Sequence, residues 1–273
     1  MESKNTLLYN ARATYYPQPD GSLKLGRVQV FDRPRFHERG WEDVNKPNKP
    51  DEGDIEPPET PEKGEGAAVD NLKRAARRAK RNAFDIIMSN PHLDCFATFT
   101  YAPDRVDDKT DWDECYPFLK NWLSNGVQRR DLAYIAVPEL TKAGDIHFHL
   151  VCNSDAVSLE KARHPKSGRL IKHHGDQVYN ITNWGAGFST AQIIQGREGV
   201  EDARTAVSKY IFKYMGKNLG ARIGGRYFLH GGALQTPGYV YGDGVEEFST
   251  GEPVEKFEVD LGENGKYWEY SFV

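Results

Sequence analysis

An α+β fold, an antiparallel sheet with helices mainly on one face, is the class this sequence predicts, on three observations. Short β-branched and aromatic runs at residues 95–101, 133–139 and 145–151 have the composition of buried strands. The second and third are joined by little more than Thr141-Lys142-Ala143-Gly144, which leaves room only for an antiparallel hairpin. Two longer stretches, 71–88 and 110–128, carry helical propensity and helical spacing of apolar residues. Elements of both kinds, in this mixed order, bury their apolar faces by stacking helices on a sheet.

Each element has its own reason. Tyr15-Tyr16-Pro17-Gln18-Pro19-Asp20-Gly21-Ser22 sits between alternating apolar stretches, so residues 6–31 read as a small β unit closed by a turn. Residues 41–66 contain five prolines, abundant Glu and hardly any large apolar side chain, the composition of a disordered linker. The stretch 71–88 is basic, and Lys73, Arg74, Arg77, Arg78, Lys80 and Arg81 could follow a DNA backbone. Equally, its Leu72, Ala76, Ala79, Ala83 and Ile87 could pack on the sheet, and the two readings are compatible. In 110–128, Trp112, Tyr116, Leu119 and Trp122 recur on one face and read as core. Residues 154–178 read as a basic loop whose Arg163, Lys166, Arg169 and Lys172 contact DNA. The histidines there lack the spacing of a metal site. A further strand is expected near 187–195, a helix from about 200 to 217, and a β-hairpin in the C-terminal stretch with Val254, Phe257, Val259, Tyr267, Trp268 and Tyr270.

Two groups carry chemistry. In Asp145-Ile146-His147-Phe148-His149-Leu150-Val151, alternation on a strand puts His147 and His149 on one face and Ile146, Phe148 and Leu150 on the other. A paired imidazole suits a metal ion. In Tyr210-Ile211-Phe212-Lys213-Tyr214, helical spacing gathers Tyr210, Lys213 and Tyr214 into one patch of two phenols and an ammonium, able to attack and steady a phosphate. The plainer alternative for these tyrosines is core, since Ala203, Ala206, Val207, Tyr210, Ile211, Tyr214 and Met215 also have amphipathic spacing. The hairpin turn decides a third metal ligand. If Lys142, Ala143 and Gly144 form a three-residue loop with Gly144 left-handed, Glu139 lies opposite His147 and on its face; a two-residue turn puts it on the wrong side.

At this point the chain resembles the rolling-circle replication initiators of the HUH endonuclease superfamily, especially those of small bacterial plasmids and single-stranded DNA phages. The resemblance rests on Phe96-Ala97-Thr98-Phe99-Thr100, on Val137-Pro138-Glu139 leading into His147-Phe148-His149, and on Tyr210-Ile211-Phe212-Lys213-Tyr214, in that order. Tyr179-Asn180-Ile181-Thr182-Asn183-Trp184 and Gly187-Phe188-Ser189 also look like the plasmid and phage branch. It covers roughly residues 70–235. Conjugative relaxases place their tyrosine before the histidines, so the order here favours an initiator.

The resemblance implies an HUH fold related to the ferredoxin-like fold. It also implies that His147, His149 and Glu139 hold a divalent cation, magnesium or manganese, and that Tyr210 attacks a phosphodiester to leave a 5′-phosphotyrosine and a free 3′ hydroxyl. Tyr214 is either a second nucleophile or structural, and Lys213 supports the phosphate. The expected division is an N-terminal β-hairpin extension (1–40), the linker (41–66), an HUH nuclease domain (67–242) and an acidic C-terminal β extension (243–273). The expected partners are a single-stranded origin and a host helicase and polymerase, because the sequence has no phosphate-binding loop of its own. Two rivals remain: a non-catalytic nucleic-acid binder stacking bases on Phe96, Phe99, Tyr101 and Phe148, and a zinc or iron enzyme using the same two imidazoles and carboxylate.

Composition agrees with this class. Among 273 residues, 38% are hydrophobic, and no apolar run approaches the ~18 residues of a membrane span. No membrane partner is expected, Cys95, Cys115 and Cys152 are too few and scattered for a disulfide framework, and the start carries no long apolar signal. The cytoplasm of a bacterial host is the expected compartment. A net charge of −4 is unevenly distributed: residues 41–66 carry −6 and 243–273 carry −7, leaving +9 elsewhere. Phosphate affinity depends on such local clustering.

Overall fold

The computed structural model describes residues 7–37, 65–194, 204–205, 207–208, 211, 223–249, 251–261 and 265–272. In chain order the elements are β1 (Leu7–Pro17), β2 (Leu23–His37), α1 (Glu65–Ser89), β3 (Cys95–Phe99), α2 (Trp112–Arg130), β4 (Tyr134–Leu140) and β5 (Ile146–Cys152). They continue with β6 (Leu159–Lys161), β7 (Lys172–His173), β8 (Asp176–Gln177), β9 (Tyr179–Ile181), β10 (Ser189–Ile193), β11 (Leu229–Gly231), β12 (Gly238–Gly242), β13 (Glu255–Asp260) and β14 (Lys266–Ser271). The class is α+β, built on open antiparallel sheets. Among the described residues no helix is long and apolar enough to cross a membrane.

The chain forms two compact units, one drawn from residues 1–51 and 235–273, the other from 52–234. The first is a five-stranded antiparallel sheet ordered β12-β1-β2-β14-β13. The two ends of the chain, read from sequence as separate extensions, pair here as neighbours, with β14 against β2 and β12 against β1. The pairing is fixed by contacts with no local signature, such as the buried Gln29 amide donating to Glu269 at 2.8 Å across 240 positions. The β1–β2 turn closes as its sequence suggests, with Asp20 accepting from the Ser22 backbone at 2.9 Å and Gly21 at φ +81°.

The second unit is a seven-stranded antiparallel sheet ordered β11-β4-β5-β3-β10-β9-β6, which places β5 inside the sheet between β4 and β3. Its two faces have different tenants. Ile146, Phe148, Leu150 and Cys152 of β5, with Cys95, Ala97 and Phe99 of β3 and Ala136 of β4, pack with Cys115, Leu119, Trp122 and Leu123 of α2. The opposite face holds Ile135, Val137 and Val151, which share a buried cluster with Ala79, Ala83 and Ile87 of α1 and with Val207 and Ile211. Two helical segments therefore cover the second face and one covers the first. α2 begins where Asp111 accepts from the Asp113 N–H at 2.8 Å, a side-chain cap for an otherwise orphaned donor. It ends at Asp131, left-handed at φ 53°.

The segment after β5, expected to be a loop, is built up locally. β6 joins the sheet edge, Arg163 and Leu170 form an isolated bridge, and β7 and β8 make a two-residue ladder, Lys172 opposite Gln177 and His173 opposite Asp176. The expected linker 41–66 lies outside the described residues as far as residue 64, as does most of the expected helix at 200–217.

Candidate functional site

The β4–β5 hairpin settles the question that the turn left open. Thr141 donates its N–H to Asp145 O at 2.9 Å, Gly144 donates to Thr141 O at 3.0 Å, and Gly144 has φ +92°. This is the three-residue loop with a left-handed glycine, and it sets Glu139 directly opposite His147. Alternation does the rest: His147, His149, Val137 and Glu139 share one face while Phe148 and Leu150 fill the core on the other.

The closest polar contact in the site is diagonal. Glu139 Oε2 hydrogen-bonds His149 Nε2, although the residue it faces in the ladder is His147. Both partners are buried, at 7% and 4% exposure, so the carboxylate and ring meet with little water between them. On the other side of the ring, His149 Nδ1 lies 3.1 Å from Thr98 Oγ1, whose residue is its cross-strand partner on β3. With the carboxylate ionised, Nε2 carries the proton and Nδ1 accepts from the hydroxyl. Because a threonine hydroxyl can also accept, the ring can shift its proton to Nδ1 and free Nε2 as a ligand without losing that contact. Phe96 stacks on the same ring, centroids 5.8 Å apart at 13°. His149 is thus fixed on three sides.

His147 is half-buried, and burial pushes its pKa below the ordinary 6.5, against the pull of Glu139 and Asp145; Lys109 adds a smaller push in the same direction as burial. The ring is therefore neutral at pH 7, the form that ligates metals. Lys109 is itself held by Asp145 at 3.2 Å, and its carbonyl accepts from Ile146 N–H at 2.8 Å, which ties the 100–111 loop to the mouth of the hairpin.

The donor set fits a divalent cation in chemistry. Nε2 of His149 and Oε2 of Glu139 converge on one point, and a neutral imidazole lies on the same face. Among the described residues no three His, Cys, Asp or Glu groups are gathered closely enough to form a metal cluster. The three expected ligands thus share a face, with two in contact.

Tyr210, Lys213 and Tyr214 lie outside the described residues. Their described neighbours are informative. Val207 and Ile211 are buried in the cluster on the histidine face, and Arg204 donates to Met88 O at 3.2 Å, anchoring the segment to the end of α1. Of the expected DNA-contacting residues, Arg74, Arg77 and Arg78 are exposed on α1 and Arg81 is half-buried, while Ala76, Ala79, Ala83 and Ile87 of the same helix are buried. Both readings of that helix hold together. Lys172 is exposed on β7, and the side chain of Lys73 lies outside those described.

The base-stacking rival loses most of its platform. Phe99, Tyr101 and Phe148 are buried with α2, Phe99 4.9 Å from the Trp122 ring and Phe148 5.8 Å from Trp112. Phe96 faces the histidines but is engaged by His149. One contributor was overlooked in the sequence. Thr98 shares a strand face with Phe96, and period-two alternation next to a histidine strand could have singled it out.

A family of replication-associated proteins, the ORF2 type, matches residues 94–219. No curated protein and no solved structure matches the chain.

Proposed function

With residues 94–219 in the replication-associated protein family, a family of rolling-circle replication initiators, we propose that this protein nicks single-stranded DNA at an origin and later rejoins it through a phosphotyrosine. The observation that carries the reading is the shared face: Val207 and Ile211, which bracket Tyr210 in sequence, belong to the buried cluster with Val137 and Val151, strand neighbours of Glu139, His147 and His149. Tyr210 is the first-choice nucleophile and Tyr214 the second.

In this mechanism the Tyr210 oxygen bonds to the scissile phosphorus as the P–O3′ bond breaks. The phenol proton leaves to solvent or a nearby base, and the departing oxygen takes up a proton to become the 3′ hydroxyl used by a host polymerase. His147, His149 and Glu139 would hold a divalent ion, magnesium or manganese, whose charge makes the phosphorus electrophilic. A phenol with an ordinary pKa near 10 is a weak nucleophile at pH 7, so Lys213 is needed beside it to stabilise the phenolate and the phosphate. The phosphotyrosine conserves the bond energy, and rejoining is the reverse attack by a 3′ hydroxyl. Thr98 keeps the His149 ring oriented throughout. Arg74, Arg77 and Arg78 on α1 and Lys172 on β7 follow the DNA backbone, and a host helicase separates the strands in the bacterial cytoplasm.

The test is direct. The full chain is incubated with manganese and a labelled single-stranded origin library, and peptide-linked oligonucleotide is mapped by mass spectrometry. An adduct on Tyr210 or Tyr214, lost in Tyr210→Phe or shifted to Tyr214, is expected. Cleavage that is unchanged in Tyr210→Phe/Tyr214→Phe sinks the tyrosine mechanism and favours a metal hydrolase using the same ligands.

A further inference from the structure

Phe188 is 71% exposed, the most exposed phenylalanine among the described residues, ahead of Phe118 and Phe257 at 40% each. An isolated apolar side chain at a surface needs no explanation, but this one is held on a rigid mount. Thr100 donates both its N–H, at 2.9 Å, and its hydroxyl, at 3.2 Å, to the Phe188 carbonyl. On one side Gly187 packs so tightly on Thr100 and Ala102 that no Cβ fits; on the other, Ser189 exchanges hydrogen bonds with the Ile181 backbone at 2.8 and 3.2 Å. A ring that projects into water from so fixed a backbone is preorganised for something to lie on it.

Register says what lies near it. β10 and β3 pair Ser189 with Phe99 and Thr190 with Thr98, and the Thr100–Phe188 and Ala102–Ala186 hydrogen bonds continue that register past the strand ends. Ser189 shares the core face with Phe99, so Phe188 and Thr190 share the opposite face with Thr98, the residue bonded to His149. On the other side of β3, Phe99 faces Phe148 of β5, and one step further the row runs Glu139, His147, Thr100, Phe188 across four strands. Two strand spacings, about 10 Å, separate Phe188 from His147 along that row. Thr190, next on the same face of β10, is exposed as well.

We propose that Phe188 is the stacking platform for a nucleobase flanking the scissile phosphate, so that a single strand crosses the sheet along the row from Glu139 to Phe188. This rests on the single-strand nuclease reading and adds to it the residue that fixes where the strand lies. A phenyl face stacks on any base, so its contribution is to position and affinity and not to sequence choice. The occupant is single-stranded because paired bases have no free face to offer.

The probe is a fluorescein-labelled oligo(dT), bound to the full-length protein and followed by anisotropy over a salt series. Phe188→Ala should weaken binding about 5- to 150-fold, the worth of one lost base stack. Phe188→Trp and Phe188→Tyr should bind within about threefold of the parent, and Phe188→Leu should resemble the alanine variant, because shape without a π face is not enough. The salt slope should be the same in all five proteins, since no phosphate contact is removed. Equal affinity of Phe188→Ala and the parent overturns the proposal, as does full rescue by leucine. So does a change of oligomeric state in Phe188→Ala at unchanged DNA affinity, which would assign the ring to a second protein copy. The two readings separate cleanly. Tyrosine-dependent cleavage with Phe188-independent binding refutes the platform alone, and Phe188-dependent binding with cleavage indifferent to both tyrosines refutes the nuclease mechanism alone.

Discussion

Gly187→Ala is the substitution whose cost the structure defines most sharply. A Cβ at Gly187 would stand 2.2 Å from Thr100 O, 2.6 Å from Ala102 N and 2.8 Å from Tyr101 C, all backbone atoms that no rotamer change can move. Relief to ordinary contact requires the two segments to part by about 1 Å. That displacement weakens three hydrogen bonds together: Thr100 N–H to Phe188 O at 2.9 Å, Ala102 N–H to Ala186 O at 3.0 Å, and Trp184 Nε1–H to Thr100 O at 3.1 Å. At about 0.5–1.5 kcal/mol each, their loss comes to roughly 2–4 kcal/mol. Against this, alanine restricts the unfolded chain and returns about 0.4–1 kcal/mol. The expected net is a destabilisation of about 1.5–3 kcal/mol, read as a shift in urea midpoint at constant slope, or a fall in Tm of roughly 4–10 °C. Gly185→Ala is the internal control. Nothing lies within 4 Å of its added Cβ and its φ is not positive, so it should fall within about 0.5 kcal/mol of the parent or be slightly stabilising. If both variants unfold together with the parent, the close approach between the Gly187 segment and the end of β3 is not what holds this edge of the site.

Two further outcomes follow from charge and burial. Burial lowers the pKa of both His147 and His230 below the ordinary 6.5, so each contributes stability that is fully present above pH 6.5 and is lost as pH falls through the lower folded-state value. Metal-free protein should therefore lose Tm between pH 7 and pH 5, and His230→Asn should lose less of it; a steeper loss in the variant contradicts the sign. Arg74→Ala/Arg77→Ala/Arg78→Ala removes three exposed guanidiniums from α1 while leaving its buried alanine stripe intact. Binding to single-stranded DNA should weaken and the slope of log K against log salt should fall by about 0.7 per lost contact, with stability within about 0.5 kcal/mol per site. An unchanged salt slope would assign the helix to packing alone.

Much of the site was readable in sequence because its logic is short-range. Period-two alternation at His147 and His149, the strand ending at Glu139 and the Thr141–Asp145 turn lie within 17 residues, and one register determines all of them. α2 was legible for the same reason, its aromatic and aliphatic residues recurring at helical spacing on the face that meets Phe148. What escaped was long-range or diagonal. Nothing in residues 7–37 says that β2 will pair with β14, since the choice depends on contacts such as Gln29–Glu269 that exist only after both strands are in place. The ladder puts Glu139 opposite His147, but side-chain reach takes its carboxylate to His149. Aromatic residues were misleading as base-stacking candidates because composition cannot tell which side of a sheet a second helix will cover: α2 claims Phe99, Tyr101 and Phe148 and leaves Phe188 in water.

The hairpin turn poses the sharpest question about how fold and site depend on each other, and magnitudes decide it. At φ +92°, Gly144 occupies a conformation that costs an alanine about 1–2 kcal/mol. Gly144→Ala could escape by shortening to a two-residue turn, but that slips β5 by one position and turns Ile146, Phe148 and Leu150 out of the core while bringing His147 and His149 in. Exposing three fully buried side chains costs roughly 5–9 kcal/mol, several times the strain avoided. The register should therefore survive and the strain stay in the loop. Stability should drop by about 1–2 kcal/mol, Gly144→Asn should recover part of it because asparagine tolerates left-handed backbone, and the manganese affinity measured by calorimetry should change less than about threefold. A Gly144→Ala protein that stays folded yet no longer binds manganese would mean that the core does not govern the register of β5, and that the glycine itself holds Glu139 beside the imidazoles.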